Sequence, residues 1–259
     1  VIQSENILIA FLLTLLAGLS TGIGSAIAWL IRKPRMDFLS FSLGFSSGVM
    51  IYISFVELIP LSVQEVGNGR AFFAFFAGIL LIGLIDVMIP EAENPHHFEE
   101  IRKIADEDED PILLRTGIFT AFAIGIHNFP EGLAAFGTAL SDVKLGIFTA
   151  VAIAMHNIPE GISVSVPIYY ATGNRNKAFL WSLLSGLSEP VGAAVGFTIL
   201  LPFLSKALLA SLLALVAGIM VYISLDELLP MAHRYGPGHT VILGVVLGMF
   251  FIGSGLLLF

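Results

Sequence analysis

The residues able to do chemistry in this chain stand in two near-identical hexapeptides, His127-Asn128-Phe129-Pro130-Glu131-Gly132 and His156-Asn157-Ile158-Pro159-Glu160-Gly161. Imidazole, amide and carboxylate together make a ligand set for a borderline-to-hard divalent cation. On a helix turning about 100° per residue, with His placed at 0°, Asn falls at about 100° and Glu at about 40°. The three side chains therefore fan over one face, with the carboxylate central. Two facing fans offer a nitrogen-and-oxygen site on the His side and an oxygen site on the Asn side, and each Glu can reach both. Each Pro lacks an N–H, which leaves the carbonyls of Ile126 and Met155 in need of a partner. A side chain, a water or a cation can fill that role. A single His-x-x-x-Glu reads as a buried polar pair in a kinked helix. Two copies, with Asn and Pro at the same offsets, point to a divalent-metal site.

The elements that hold these residues are membrane-spanning helices. Charged residues make up 12% of the 259 and hydrophobic ones 56%, with a mean hydropathy of +0.92; soluble domains are roughly 25% charged. Apolar segments long enough to cross a bilayer fall at 6–31, 39–61, 70–90, 113–139, 145–170, 177–201, 206–231 and 239–258. The first is read as a span, because Glu5 and no basic residue precedes it and its apolar run is too long for a cleavable signal. The fold expected is an all-α integral membrane protein of eight transmembrane helices. Both hexapeptides then fall at the centres of their spans. The net charge of −8 carries no nucleic-acid signal, because nine of the twenty acids crowd into Glu91–Asp110. The chain has no cysteine, which excludes disulfides, thiolate-metal sites and cysteine nucleophiles.

Basic residues orient the spans. Arg32, Lys33, Arg35, Arg102, Lys103, Arg115, Arg175, Lys177 and Arg234 follow the odd-numbered spans, and only Arg70, Lys144 and Lys206 lie on the other side. The first group belongs in the cytoplasm and both termini outside. A longer repeat lies in the ends of the chain: Gly48-Val-Met-Ile-Tyr-Ile-Ser-Phe-Val-Glu-Leu-Ile-Pro60 matches Gly218-Ile-Met-Val-Tyr-Ile-Ser-Leu-Asp-Glu-Leu-Leu-Pro230, 170 residues on. The same offset lays Gly22 on Gly192, more weakly. Spans 1–3 and 6–8 thus read as one three-helix unit used twice. Three is odd, so the copies are inverted, giving a 3+2+3 arrangement. Its units are a first repeat at 1–90, an acidic cytoplasmic loop at 91–112, a central metal-binding pair at 113–170 and a second repeat at 177–259. Inverted repeats around kinked central helices are the pattern of an alternating-access carrier.

Other polar residues inside the spans are functional candidates. Glu189, followed by Pro190 at the centre of span 6, is read as a third metal carboxylate; the alternative is a hydrogen-bonded structural acid, with Ser185 and Ser188 as nearby candidates for its partner. Met50 offers a thioether or simply packs. Glu57 on span 2, with Asp86 on span 3 and Asp226-Glu227 on span 7, suits either an entrance and an exit for cations or interfacial acids facing water. The small residues of span 1 (Gly18, Ser20, Thr21, Gly22, Gly24, Ser25) read as helix packing. His96-His97 in the acidic loop reads as part of a solvated linker, with cation collection as the alternative.

With these motifs, the chain resembles the ZIP (Zrt-, Irt-like protein) family of divalent-metal transporters, closest to a bacterial branch of it. The resemblance covers all eight spans and is most specific at the two hexapeptides. It implies a binuclear site, with His127, Glu131, His156 and Glu160 around one ion and Asn128, Glu131, Asn157, Glu160 and Glu189 around the other. It also implies import toward the cytoplasm. The long His-rich loop of many eukaryotic members is reduced here to His96-His97.

The function expected is a secondary transporter of zinc, iron, manganese or cobalt in a cell membrane, the bacterial inner membrane above all. No prosthetic group is implied. Its partners are the ions and the bilayer, with a homodimer left open. A metal-selective channel shares the ligands but not the occlusion. An intramembrane metal-dependent hydrolase is the rival from another class, and the His-Glu-x-x-His of a zinc protease does not occur.

Overall fold

The computed structural model describes residues 4–30, 36–88, 111–200 and 205–257, and all of its regular structure is helical. The acidic loop with His96-His97 lies outside the described residues. The helices are α1 (Ser4–Leu30), α2 (Met36–Ile53), α3 (Ile59–Met88), α4 (Pro111–Ser141), α5 (Val143–Thr172), α6 (Arg175–Gly186), α7 (Ser188–Val195), α8 (Lys206–Ile223), α9 (Leu229–Tyr235) and α10 (Gly238–Leu256). Single π-helical turns at Ser54–Leu58, Gly196–Leu200 and Ser224–Leu228 continue α2, α7 and α8. Among the described residues, six helices are long and apolar enough to cross a membrane. One of them, Asp37–Val87, runs to 51 residues. Gly67 breaks it with a φ of 77°, a conformation glycine adopts without a Cβ clash.

The burial pattern suits lipid. Phe72, Phe73, Leu80, Leu84 and Val87 of α3 and Phe250 of α10 face outward, while His, Asn, Glu, Ser and Thr side chains are enclosed. This reverses the soluble pattern, in which large apolar side chains go inside.

The helices form two groups. In one, α1 packs on α5, α4 on α5 and α7, and α6 on α1 and α5. In the other, α3 packs on α8, α10 on α2, and α9 on α2. The groups meet mainly where α2 touches α5 and α4 touches α8. Short capped turns hold the first group in register. Asp142 accepts from Lys144 N (2.8 Å) and Leu145 N (3.1 Å) at the start of α5, and Asn174 accepts from Lys177 N (3.0 Å) at the start of α6.

Close backbone contacts repeat in both groups. A Cβ on Gly48 would strike the carbonyl of Val245, and one on Gly218 that of Phe75. Gly78 likewise meets Leu215 O, and Gly248 meets Phe45 O. Every member of the second contact is the counterpart of one in the first at the 170-residue offset. For α1 and the α6–α7 run the offset differs from the 170 of the 13-residue repeat. Gly18 and Gly186 each meet the other's carbonyl, Gly24 meets Ile158 O as Gly192 meets Phe129 O, and Gly161 meets Thr21 O as Gly132 meets Glu189 O. These contacts relate the two helices by 168 residues, so Gly192 answers to Gly24 and not to Gly22. The glycines that touch backbone set the register, and Gly22 instead meets the flexible end of Leu183.

The two 13-residue repeats share a local feature that the pattern of apolar residues did not reveal. In each, a Pro two residues past the π-helical turn removes an N–H, and the Ser at its start hydrogen-bonds the preceding turn: Ser54 Oγ to Met50 O and Ser224 Oγ to Met220 O, both at 2.7 Å. The N–H of Ile59 then reaches Ser54 O, and that of Leu229 reaches Ser224 O. Such turns put Glu57 and Glu227 at equivalent places.

Candidate metal centre

Helices α4 and α5 present the two fans toward each other, with Pro130 and Pro159 within their helical runs. His127, Asn128, Glu131, His156, Asn157, Glu160 and Glu189 are all 2% exposed or less. His156 Nε2 lies 3.1 Å from Glu131 Oε1, and His127 Nε2 lies 3.5 Å from Glu131 Oε2 and 3.6 Å from Glu160 Oε1. The two imidazole rings are 6.4 Å apart at 74°. Ligand atoms of His127, His156 and Glu160 fall within 4.8 Å of one another, close enough to share one ion.

Asn157 Nδ2 donates to Ala17 O at 3.0 Å and also to Glu189 Oε1. Asn128 Nδ2 donates to Ser185 O at 3.3 Å. With the amide nitrogens so engaged, both Oδ1 atoms are left without a hydrogen-bond partner, as are Glu160 Oε2, Glu189 Oε2 and both nitrogens of His127. Buried acceptors without partners are costly, and a carboxylate without one costs more. A divalent cation takes imidazole nitrogens, amide oxygens and carboxylate oxygens as ligands at once.

Glu189 stands in the first turn of α7, just past a one-residue break in the helix. α6 ends at Gly186, Leu187 intervenes, and α7 starts at Ser188. The side-chain partner of Glu189 is Asn157. Ser185 and Ser188 bond the carbonyls of Ser182 and Ser185 at 2.8 and 2.6 Å, so neither serine is the partner of Glu189. Glu189 also lies within electrostatic range of Glu131 and Glu160.

Met50 is fully buried in the core between α2, α5 and α8. Its sulfur is 3.9 Å from Ser46 Oγ, which lies 3.3 Å from His156 O. Asp86 and Asp226 fall together around Tyr222, whose hydroxyl donates to Asp86 Oδ2 at 3.3 Å. Glu227 is buried, with Oε1 unpartnered, and sits within electrostatic range of Glu160 as well as of Asp226 and Asp86. Glu57 is half-buried on its own π-helical turn and lies apart from that cluster. Two contributions were not visible in the spacing of polar residues: the backbone acceptors Ala17 O and Ser185 O, and the Ser46 hydroxyl beside His156.

Comparison with known proteins follows from this geometry. A family model described as "ZIP Zinc transporter" matches residues 86–258. A protein of Clostridium perfringens called "Zinc transporter ZupT" is 51% identical, over 98% of this chain and 97% of its own length. One of the same name from Streptococcus mutans is 52% identical, over 99% of this chain and 100% of its own. Another, from Chlorobium phaeovibrioides, is 56% identical, over 96% and 97%.

Proposed function

The chain belongs to the ZIP family, and we propose that it is a secondary transporter importing divalent transition metals, zinc foremost, through a binuclear site. Membership of a family of transporters leaves the intramembrane hydrolase without support, and the protein is not an enzyme. Transport of zinc is supported by relatives that carry zinc in their names over nearly their whole length. Iron, manganese and cobalt suit the same ligands, because amide and carboxylate oxygens accept harder ions than zinc.

The observation that carries the reading is the set of buried, unpartnered ligand atoms on both sides of Glu131 and Glu160. On the His side, His127, His156, Glu131 and Glu160 hold one ion. On the Asn side, Asn128, Asn157, Glu189 and the same two glutamates hold the other. Eight crossings follow if Asp37–Val87 counts as two, divided at Gly67, if α4 counts as one, and if α6 and α7 together make one. With both termini outside a bacterial inner membrane, the site falls at mid-depth. Glu57 then lies toward the outer side, and Asp86, Asp226 and Glu227 form an exit station reached from Glu160. The equivalent glycine contacts in the two repeats support inverted halves, the architecture of alternating access.

The test is metal flux into liposomes holding the purified protein, with competing ions and a series of pH values. Saturable zinc uptake, competed by manganese or cobalt, is the expected result. Flux that never saturates would favour the channel, and no flux in any condition would remove the transport reading.

A further inference from the structure

The two halves of the metal centre are related by a local two-fold pattern, and one residue breaks it. Asn157 donates to Ala17 O, and Asn128 donates to Ser185 O, the counterpart of Ala17 O at the 168-residue offset. His156 faces Glu131 as His127 faces Glu160. Gly161 meets Thr21 O as Gly132 meets Glu189 O. The counterpart of Glu189 is therefore Thr21, and where Asn157 bonds the Glu189 carboxylate, Asn128 has only a hydroxyl on the matching side.

Thr21 is fully buried, and its Oγ1 has no hydrogen-bond partner. Helical threonines usually bond the carbonyl four residues back, which here is Ala17 O, already taken by Asn157 and by Ser20 Oγ at 2.5 Å. The Thr21 side chain lies against Gly186, next to the Ser185 carbonyl that Asn128 bonds. Asn128 Oδ1 is unpartnered too. A threonine hydroxyl ends two atoms short of a glutamate carboxylate oxygen, about the 2.8 Å that a hydrogen-bonded water spans. A buried water needs two to four polar partners, and the Thr21 hydroxyl, the second lone pair of the Asn128 Oδ1 that holds the ion, and the ion itself supply three.

We propose that Thr21 is a specificity-determining residue of the metal centre, anchoring a water ligand on the Asn128 side where Glu189 supplies a carboxylate on the other. The inference rests on the binuclear reading above. One half of the Asn-side ion is then held by charge and the other by water. That arrangement admits ions that keep part of their hydration, such as manganese, beside four-coordinate zinc.

Binding of zinc and of manganese to purified variants, by calorimetry with size-exclusion chromatography to confirm folding, tests the inference. T21V keeps the shape and removes the hydroxyl, so it should weaken manganese binding more than zinc binding, and T21S should restore the wild-type ratio. E189T should weaken zinc binding by about tenfold or more. T21E/E189T, which moves the carboxylate to the equivalent place, should recover most of that loss. A T21V protein with the wild-type zinc-to-manganese ratio would overturn the proposal. So would a folded double variant that binds no better than E189T. Wild-type binding by E189T would instead remove the binuclear reading, and this inference with it.

Discussion

His156 Nε2 lies 3.1 Å from Glu131 Oε1, so the imidazole of one hexapeptide faces the carboxylate of the other across the α4–α5 interface. His127 meets Glu160 in the same sense at 3.6 Å. Each glutamate thus belongs to both fans, and removing either one reaches further than removing a histidine.

Glu131→Ala and Glu160→Ala are each expected to impair both ion positions, whereas His156→Ala should affect mainly the imidazole side. Equilibrium dialysis with zinc, counting ions bound per chain, separates these outcomes. A Glu160→Ala protein that still held two ions at unchanged affinity would show that the carboxylates do not bridge.

Glu131, Glu160 and Glu189 are all buried, and among the described residues no Lys or Arg side chain pairs with them. Three ionised carboxylates in hydrocarbon are too costly without cations, so at least one carries a proton until metal arrives. Metal binding is then expected to release protons. Calorimetry in buffers of different ionisation enthalpy reads this directly, and equal heats in every buffer would count against it.

The glycine contacts carry a stability prediction. A Cβ at Gly132 or Gly161 would overlap the backbone of Glu189 or Thr21, so Gly132→Ala and Gly161→Ala should each destabilise the protein by about 1–3 kcal/mol. Gly69, with open space around it, is the control, and Gly69→Ala should cost nothing. Thermal unfolding in detergent compares the three. Equal stability for all of them would mean that the helices do not approach as closely as described.

Cysteine labelling tests the topology, because the chain is already free of cysteine. E57C should react with an impermeant thiol reagent added outside, and E227C with reagent on the cytoplasmic side. M50C should be reached from each side in turn, with its reactivity altered by zinc. Labelling of positions 57 and 227 from one side would contradict inverted repeats.

The chemistry of the site was legible in the sequence because its ligands are local. His, Asn and Glu sit at fixed offsets on one helical turn, so their common face follows from helix geometry alone. Glu189 was legible too, as an acid beside a proline within an apolar run. The partner of Glu189 was not, since Asn157 lies 32 residues away and only packing brings them together. The register of α1 on α7 was misread by two residues for a different reason. The offset of 170 was carried over from the 13-residue repeat; at 168 the run Ala10–Ala26 matches Ala178–Ala194 at ten of 17 positions, and the backbone contacts of Gly18, Gly24, Gly186 and Gly192 agree with it. Thr21 was read as packing because a lone threonine among glycines carries no signal of its own. Its place opposite Glu189 follows from the 168-residue match of Gly18-Leu19-Ser20 with Gly186-Leu187-Ser188, and the partners of both asparagines agree with it. The π-helical turns escaped notice because the apolar pattern has no way to mark one extra residue in a turn, although the shared Ser and Pro of the two repeats were in view.

The most direct measurement is anomalous diffraction at the zinc edge from crystals of the zinc-loaded protein. The expected result is two peaks a few ångströms apart, about 3.5–4 Å as in other two-metal sites. One should lie among His127, His156, Glu131 and Glu160, and the other among Asn128, Asn157 and Glu189 with the same two glutamates. Zinc bound elsewhere in the protein, with no peak at these residues, would contradict the account.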